Sequence, residues 1–273
     1  MTAGCFLLQQ PVPMLITYPA SAPESPVPLG GPYTLSAARD ASIEPGSYPL
    51  ILISHGTGSS PFVHRNLAAH LARSGYIAVA PEHPRNNRND NSLANTTENL
   101  VNRPRLITQI LDVTLSHDTL APYIAHDHIA IIGHSLGGYT ALAAAGGLPS
   151  SIEVSSDPRI KALVLLAPAT PWFMAPGALA NVRVPILMLT AEKDPHTPAG
   201  HGEIVKRGLP SDTPIEHHVI PNAGHFSFLS PFPPSMITPA FAPAHDPPNF
   251  DREHFQFEMF ALIKAFLQRL FSR

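Results

Sequence analysis

The chain has a single cysteine, Cys5, in 273 residues, so no intrachain disulfide can form and the fold must rest on packing. Charge of either sign is sparse: 17 Lys and Arg stand against 20 Asp and Glu, a formal net charge of −3 with no block of like charge. That balance excludes the basic footprint of a nucleic-acid partner or of attachment to an anionic membrane. No apolar run approaches the roughly 20 residues of a membrane span. The N-terminus lacks a charged stretch leading into an apolar core, so the expected location is cytoplasmic, a signal removed by processing leaving no trace. Tryptophan is reduced to Trp172 alone. What is abundant is apolar content, 44%, and proline, 32 residues, against a usual proline share of about 5%. Many prolines border predicted strands and read as stiff loops. The length suits one α/β domain over residues 1–273.

The chain is organised around Ile129-Ala130-Ile131-Ile132-Gly133-His134-Ser135-Leu136-Gly137-Gly138, followed by Tyr139-Thr140-Ala141-Leu142-Ala143. A β-branched run, a glycine-flanked serine and a small-residue helical pattern read as strand, tight turn and helix. Gly-x-Ser-x-Gly in that setting forms a nucleophile elbow, where the bland reading is a plain glycine turn. Side chains at positions 133 and 137 would collide, and Gly138 lets the helix lie close to the sheet. Ser135 Oγ is then held above the strand ends, with the Leu136 N–H at a helix N-terminus facing any developing oxyanion.

Partners for the serine are sought at the ends of other strands. Pro49–Ser54 is an unbroken apolar run, a central strand, and ends in His55-Gly56-Thr57-Gly58-Ser59-Ser60. With no Walker lysine following, that turn reads as an oxyanion loop with the Thr57 N–H as donor rather than a phosphate cradle. Val184–Thr190 is another strand, and Asp194 in the Asp-Pro turn beyond it is the preferred acidic partner over Glu192. Ile215–Ile220 is followed by Asn222-Ala223-Gly224-His225-Phe226, which makes His225 the base. His217 and His218 lie within the strand, where alternate side chains point to opposite faces.

The remaining segments frame a pocket. Pro13–Pro19 reads as an early strand, and Ala20–Gly46 as loop and edge structure. Val63–Ser74, Arg103–Leu120 and a stretch capped by Asp251 read as helices. The polar Glu82–Asn99 passage reads chiefly as a solvated loop whose His83 and Arg85 lie on the same rim as the elbow. Trp172 and Phe226 are the pocket-wall candidates. His126-Asp127-His128 precedes the elbow strand at its far end and is not read as a metal site. A short cap from Glu82–Asn99, Pro171–Ala180 and Ser230–Phe250 predicts small or short-acyl substrates.

The order Ser, Asp, His and the phrases Ile-Ser-His-Gly-Thr-Gly-Ser-Ser, Val-Ala-Pro-Glu-His-Pro, Gly-His-Ser-Leu-Gly-Gly-Tyr-Thr-Ala and Asn-Ala-Gly-His-Phe resemble the α/β-hydrolase superfamily over nearly the whole chain. Within it they look most like the predicted dienelactone-hydrolase group, which is similar to platelet-activating-factor acetylhydrolases; position 135 is serine where dienelactone hydrolases proper carry cysteine. A shorter resemblance, through Pro171-Trp172 and the elbow, is to cutinase-like polyester hydrolases. The resemblance implies an α/β-hydrolase fold with a mostly parallel sheet. It also implies a Ser135-His225-Asp194 carboxylesterase acting on a small-molecule ester, with no metal, nucleotide or flavin cofactor. An amidase or peptidase on the same scaffold is the other enzymatic reading, and a non-catalytic binding module the remaining one.

Overall fold

The computed structural model describes residues 1–150 and 152–271. Its frame is one ten-stranded sheet. In chain order the strands are β1 (Thr2–Leu8), β2 (Met14–Ala20), β3 (Ser25–Gly30), β4 (Tyr33–Arg39), β5 (Tyr48–Ser54), β6 (Ile77–Pro81), β7 (Ile124–His134), β8 (Ala162–Leu166), β9 (Ile186–Ala191) and β10 (Ile215–Ile220). Their spatial order is β10-β9-β8-β7-β5-β6-β2-β1-β4-β3. From β6 through β5 and β7 to β10 all pairings are parallel, while β2 joins β6 and β1 in antiparallel fashion. The mostly parallel sheet is the expected architecture.

Helices α1 (Arg65–Arg73) and α5 (Arg252–Phe271) cover one face, and α2 (Thr97–Ser116), α3 (Leu136–Ala144) and α4 (Gly200–Gly208) the other. Burial on both faces explains why β5 is an unbroken apolar run: Ile51 and Ile53 enter the core beneath α1 and α5, Leu50 and Leu52 the opposite one. Asp251 caps α5, its Oδ1 accepting the His254 N–H at 3.0 Å.

Several elements depart from the sequence reading. The Ala20–Gly46 passage is not chiefly loop: it contains the β3–β4 hairpin, an edge ribbon with Val27, Leu29, Leu35 and Ala37 inward. Pro26 and Pro28 occupy exposed positions of the outermost strand, where a missing N–H does no harm. Strands β1 and helix α4 were not anticipated either. Helix α2 begins six residues before Arg103, with Pro104 inside it. Proline at 104 leaves the Leu100 carbonyl without its i+4 donor, and the Tyr139 hydroxyl of α3 supplies one at 3.0 Å. The kink-prone site thus becomes a tie between two helices.

The elbow needs its glycines for backbone approach. A Cβ at 133 would lie 2.1 Å from the Gly137 oxygen, one at 137 only 1.9 Å from the Ser54 oxygen, and one at 138 within 2.5 Å of Pro168. Gly200, at the start of α4, meets nothing within 4 Å. Gly137→Ala is therefore expected to cost about 3 kcal/mol or more, since backbone must move to admit the methyl. Gly200→Ala should gain about 0.5 kcal/mol by restricting the unfolded chain. Urea titration of both variants checks the contrast; similar midpoints would contradict it.

Candidate active site

Ser135 sits between β7 and α3 with φ 55° and ψ −119°, a left-handed conformation rare for serine. Its N–H donates to the Leu166 carbonyl at 3.0 Å, and its own carbonyl accepts from Gly138 and Ala169, both at 2.9 Å. These bonds hold the strained turn and leave the side chain to project from it. His225, in the loop after β10, places Nε2 2.9 Å from Ser135 Oγ. Its Nδ1 lies 2.7 Å from Asp194 Oδ2, in the loop after β9. His217 and His218 serve elsewhere, against Thr190 and Glu216.

Asp194 is 6% exposed, yet its surroundings favour the charged form. Burial opposes ionisation, but the hydrogen bond and charge of His225, with the Thr197 donors, outweigh it and hold the carboxyl well below the usual carboxylate range. Oδ1 accepts the N–H groups of His196 and Thr197 at 2.7 and 2.8 Å, and the Thr197 hydroxyl reaches Oδ2 at 2.6 Å. Thr197 was missed in the sequence, although Asp-Pro-x-Thr is the wording of a turn whose carboxylate caps the two or three residues after it. His134, the variable residue of the elbow motif, was also passed over. Its Nε2–H donates to the His225 carbonyl at 2.9 Å and fixes the loop that carries His225.

The turn after β5 lies against Ser135: a Cβ on Gly56 would come 3.1 Å from Ser135 Cβ. His55 Nδ1 donates to the Gly56 carbonyl at 2.7 Å, while Nε2 accepts the His83 N–H at 3.2 Å. Because a trans peptide is planar, that bond also fixes the direction of the Thr57 N–H on the same unit. Among the described residues neither the Thr57 nor the Leu136 N–H has a protein partner.

The polar Glu82–Asn99 passage is not a solvated loop throughout. His83, Asn86 and Asn87 are buried, and His83 bonds Ser54 Oγ at 2.8 Å instead of facing substrate. Arg85 remains exposed beside Glu98. Arg103, 1% exposed, explains the buried part: with no carboxylate partner among the described residues, it donates to Asn86 Oδ1 at 2.6 Å, Thr140 Oγ1 at 2.9 Å and the His55 carbonyl. Burial lowers its pKa to about 9, so it stays charged at neutral pH. An arginine on a helix reads as solvated, and no local sequence signal marked this one.

A cavity of about 580 Å³ opens above Ser135 and His225. Thr57, Leu136, Trp172 and Phe226 all line it. Each of the three expected cap stretches contributes to its wall, through Asn99, Trp172 and Phe241 respectively. Tyr33, from the unanticipated β4, adds another aromatic wall. The insertion after His225 is pinned by Arg252, which pairs with Asp246 at 2.8 Å and donates to the Pro243 carbonyl at 3.0 Å.

Four buried imidazoles surround this machinery: His55, His64, His83 and His134. Burial first, and neighbouring positive charge for all but His64, push them below the ordinary 6.5, His55 to about 3 and His64 to about 4. Each is neutral when folded and takes up a proton on unfolding below pH 6.5. The unfolded state then binds more protons, so stability falls as pH drops from 6.5 towards 4. Four such groups give a limiting slope of about 5 kcal/mol per pH unit. Urea midpoints are expected to fall steeply below pH 6, and His64→Phe should flatten the curve by about one proton. A midpoint unchanged between pH 7 and pH 5 would contradict this.

Comparison with known proteins places this geometry among relatives. A bis(hydroxyethyl) terephthalate hydrolase of Streptomyces coelicolor is 25% identical over 227 residues, 77% of this chain and 66% of its own. Platelet-activating factor acetylhydrolase of Bos taurus is 25% identical over 199 residues, 57% of this chain and 42% of its own. The chain thus spans less than two thirds of the length of these curated relatives. A solved structure, the ferulic acid esterase from Streptomyces cinnamoneus, superposes with a TM-score of 0.71 at 18% identity, covering 98% of this chain and 89% of that one. That likeness establishes the α/β-hydrolase fold. The family model described as Chlorophyllase matches residues 34–170, which contain Thr57 and Ser135 but end before Asp194 and His225. Matched over half its length, the chain belongs to the chlorophyllase family.

Proposed function

We propose that the chain is a serine carboxylic ester hydrolase acting on small or short-acyl esters. The observation that carries the reading is the hydrogen-bonded series Asp194–His225–Ser135 at the floor of the cavity, with two unpartnered N–H groups beside it. Ser135 Oγ attacks the ester carbonyl carbon while His225 Nε2 takes the hydroxyl proton. Asp194 holds the Nδ1–H tautomer and stabilises the imidazolium. The Thr57 and Leu136 N–H groups receive the tetrahedral oxyanion, each worth about 2.7–4 kcal/mol of barrier in comparable sites. Collapse expels the alcohol, protonated by His225. Water, deprotonated by the same imidazole, then cleaves the acyl-enzyme and releases the acid.

The cavity supports the substrate class. Its walls are aromatic, with Tyr33, Trp172, Phe226, Phe232 and Phe241, and its volume accommodates a compact ester. The relatives point the same way: one is named for a terephthalate ester and one for an acetyl ester. A polyester or amide substrate on the same machinery has no specific feature of the cavity in its favour.

Acetyl and butyryl p-nitrophenyl esters are expected to be hydrolysed with higher kcat/KM than the palmitoyl ester, and esters faster than matched anilides. Ser135→Ala should lower kcat on the order of 10⁶-fold with the fold intact by circular dichroism. Preference for the palmitoyl ester, or an active Ser135→Ala variant, would overturn the reading.

A further inference from the structure

Resting on the reading of the cavity as an ester-hydrolase site, one wall carries a feature that the triad does not use. Helix α2 opens into the cavity with its N-terminus, where Thr97 and Asn99 both line the space. The Thr96 hydroxyl caps the helix by accepting the Asn99 N–H at 3.2 Å, which leaves the Thr97 N–H without a partner among the described residues. The positive end of the helix dipole is directed here. Asn99 is 2% exposed, and its side-chain amide makes no hydrogen bond to any described residue. Nor is that amide among the polar atoms sealed from access, so the cavity is where it is reached. A buried amide open only to a ligand space is a recognition group awaiting its complement.

The sign of the surroundings selects that complement. Among the described residues no Asp or Glu lines the cavity. Arg88 does, and it has no carboxylate partner: its guanidinium meets only the Tyr33 hydroxyl at 3.4 Å and the Tyr33 ring at 5.7 Å. Glu98, the one acid in the first turn of α2, is exposed and faces Arg85 at 3.5 Å. Position is secured by the bond from the Tyr139 hydroxyl to the Leu100 carbonyl, which ties this turn to the helix that starts at the nucleophile. Free backbone N–H, helix N-terminus and unpaired guanidinium share one preference, an anionic oxygen group, to which the Asn99 N–H₂ can also donate.

We infer that the first turn of α2, through Asn99 and the Thr97 N–H, forms a second subsite that binds the carboxylate of a half-ester, an ester whose acid portion carries a second, free carboxyl group. The ester carbonyl sits at Ser135 and the carboxylate at α2, with the aromatic walls holding what lies between. Hydrolysis then releases a dicarboxylate and an alcohol.

The test compares 4-methoxycarbonylbenzoate with methyl 4-methylbenzoate, each enzymatic rate referred to alkaline hydrolysis of the same ester. Wild type should show the higher kcat/KM on the half-ester, mainly through KM, and the advantage should shrink as salt is raised. Asn99→Leu is expected to lower the ratio of the two substrates by at least about tenfold. Thr97→Pro removes one N–H at a helix position that accepts proline, and should lower the ratio about threefold. A wild type that prefers the neutral ester, or variants that slow both esters by one factor and leave the ratio unchanged, overturns the subsite. Failure of wild type to hydrolyse either ester or any p-nitrophenyl ester is a different result, which strikes the ester-hydrolase reading itself.

Discussion

The close approach of Gly137 to the Ser54 carbonyl sets the geometry on which the site depends. A single methyl group would not fit between the first turn of α3 and the end of β5. That contact brings the turn after β5 against the turn after β7, so that Thr57 and Ser135 face one space. Gly133 and Gly138 extend the same constraint to the strand below and to the loop after β8. With the backbone so tightly packed, Ser135 can occupy its strained φ, because its N–H and carbonyl are both bonded on either side. Strain at Ser135 is held by the surrounding glycines and hydrogen bonds.

Around that contact the protein buries polarity that most cores exclude. Arg103 lies in the interior without a carboxylate, which is costly unless every donor is used. Its bonds run to Asn86, Thr140 and the His55 carbonyl, three separate rim segments. His55 in turn bonds the peptide unit that bears the Thr57 N–H, and His134 bonds the loop that bears His225. The rim is therefore braced from beneath by neutral imidazoles and one cation. The same desolvation that keeps those rings uncharged ties the fold to near-neutral pH.

The sequence made the cluster of Ser135, His225, Asp194 and Thr57 legible because each member follows a strand and has a local signature. Gly-x-Ser-x-Gly, His-Gly-Thr-Gly, Asp-Pro and Gly-His are all short-range patterns that backbone geometry requires. What stayed hidden depends on tertiary context. Pro26 and Pro28 masked an edge hairpin, because exposed positions tolerate proline without revealing a strand. In the sequence α2 reads only from Arg103, and the donor missing at Pro104 is supplied by Tyr139 only once α3 is packed beside it. His83 and Asn86 read as loop surface because the buried guanidinium that they serve comes from a distant helix. Asn99 gave no signal at all, since an asparagine in a helical turn reveals its role only through the space it faces.

The central claim is that Ser135 is an activated nucleophile, and covalent labelling tests it most directly. Fluorophosphonate phosphonylates a serine, with loss of fluoride, only where a base and an oxyanion site are assembled, and peptide mass spectrometry then locates the adduct. The account predicts one adduct, on Ser135, absent from Ser135→Ala and strongly slowed in His225→Ala. Folded protein that takes up no label, or takes it at another residue, would contradict it.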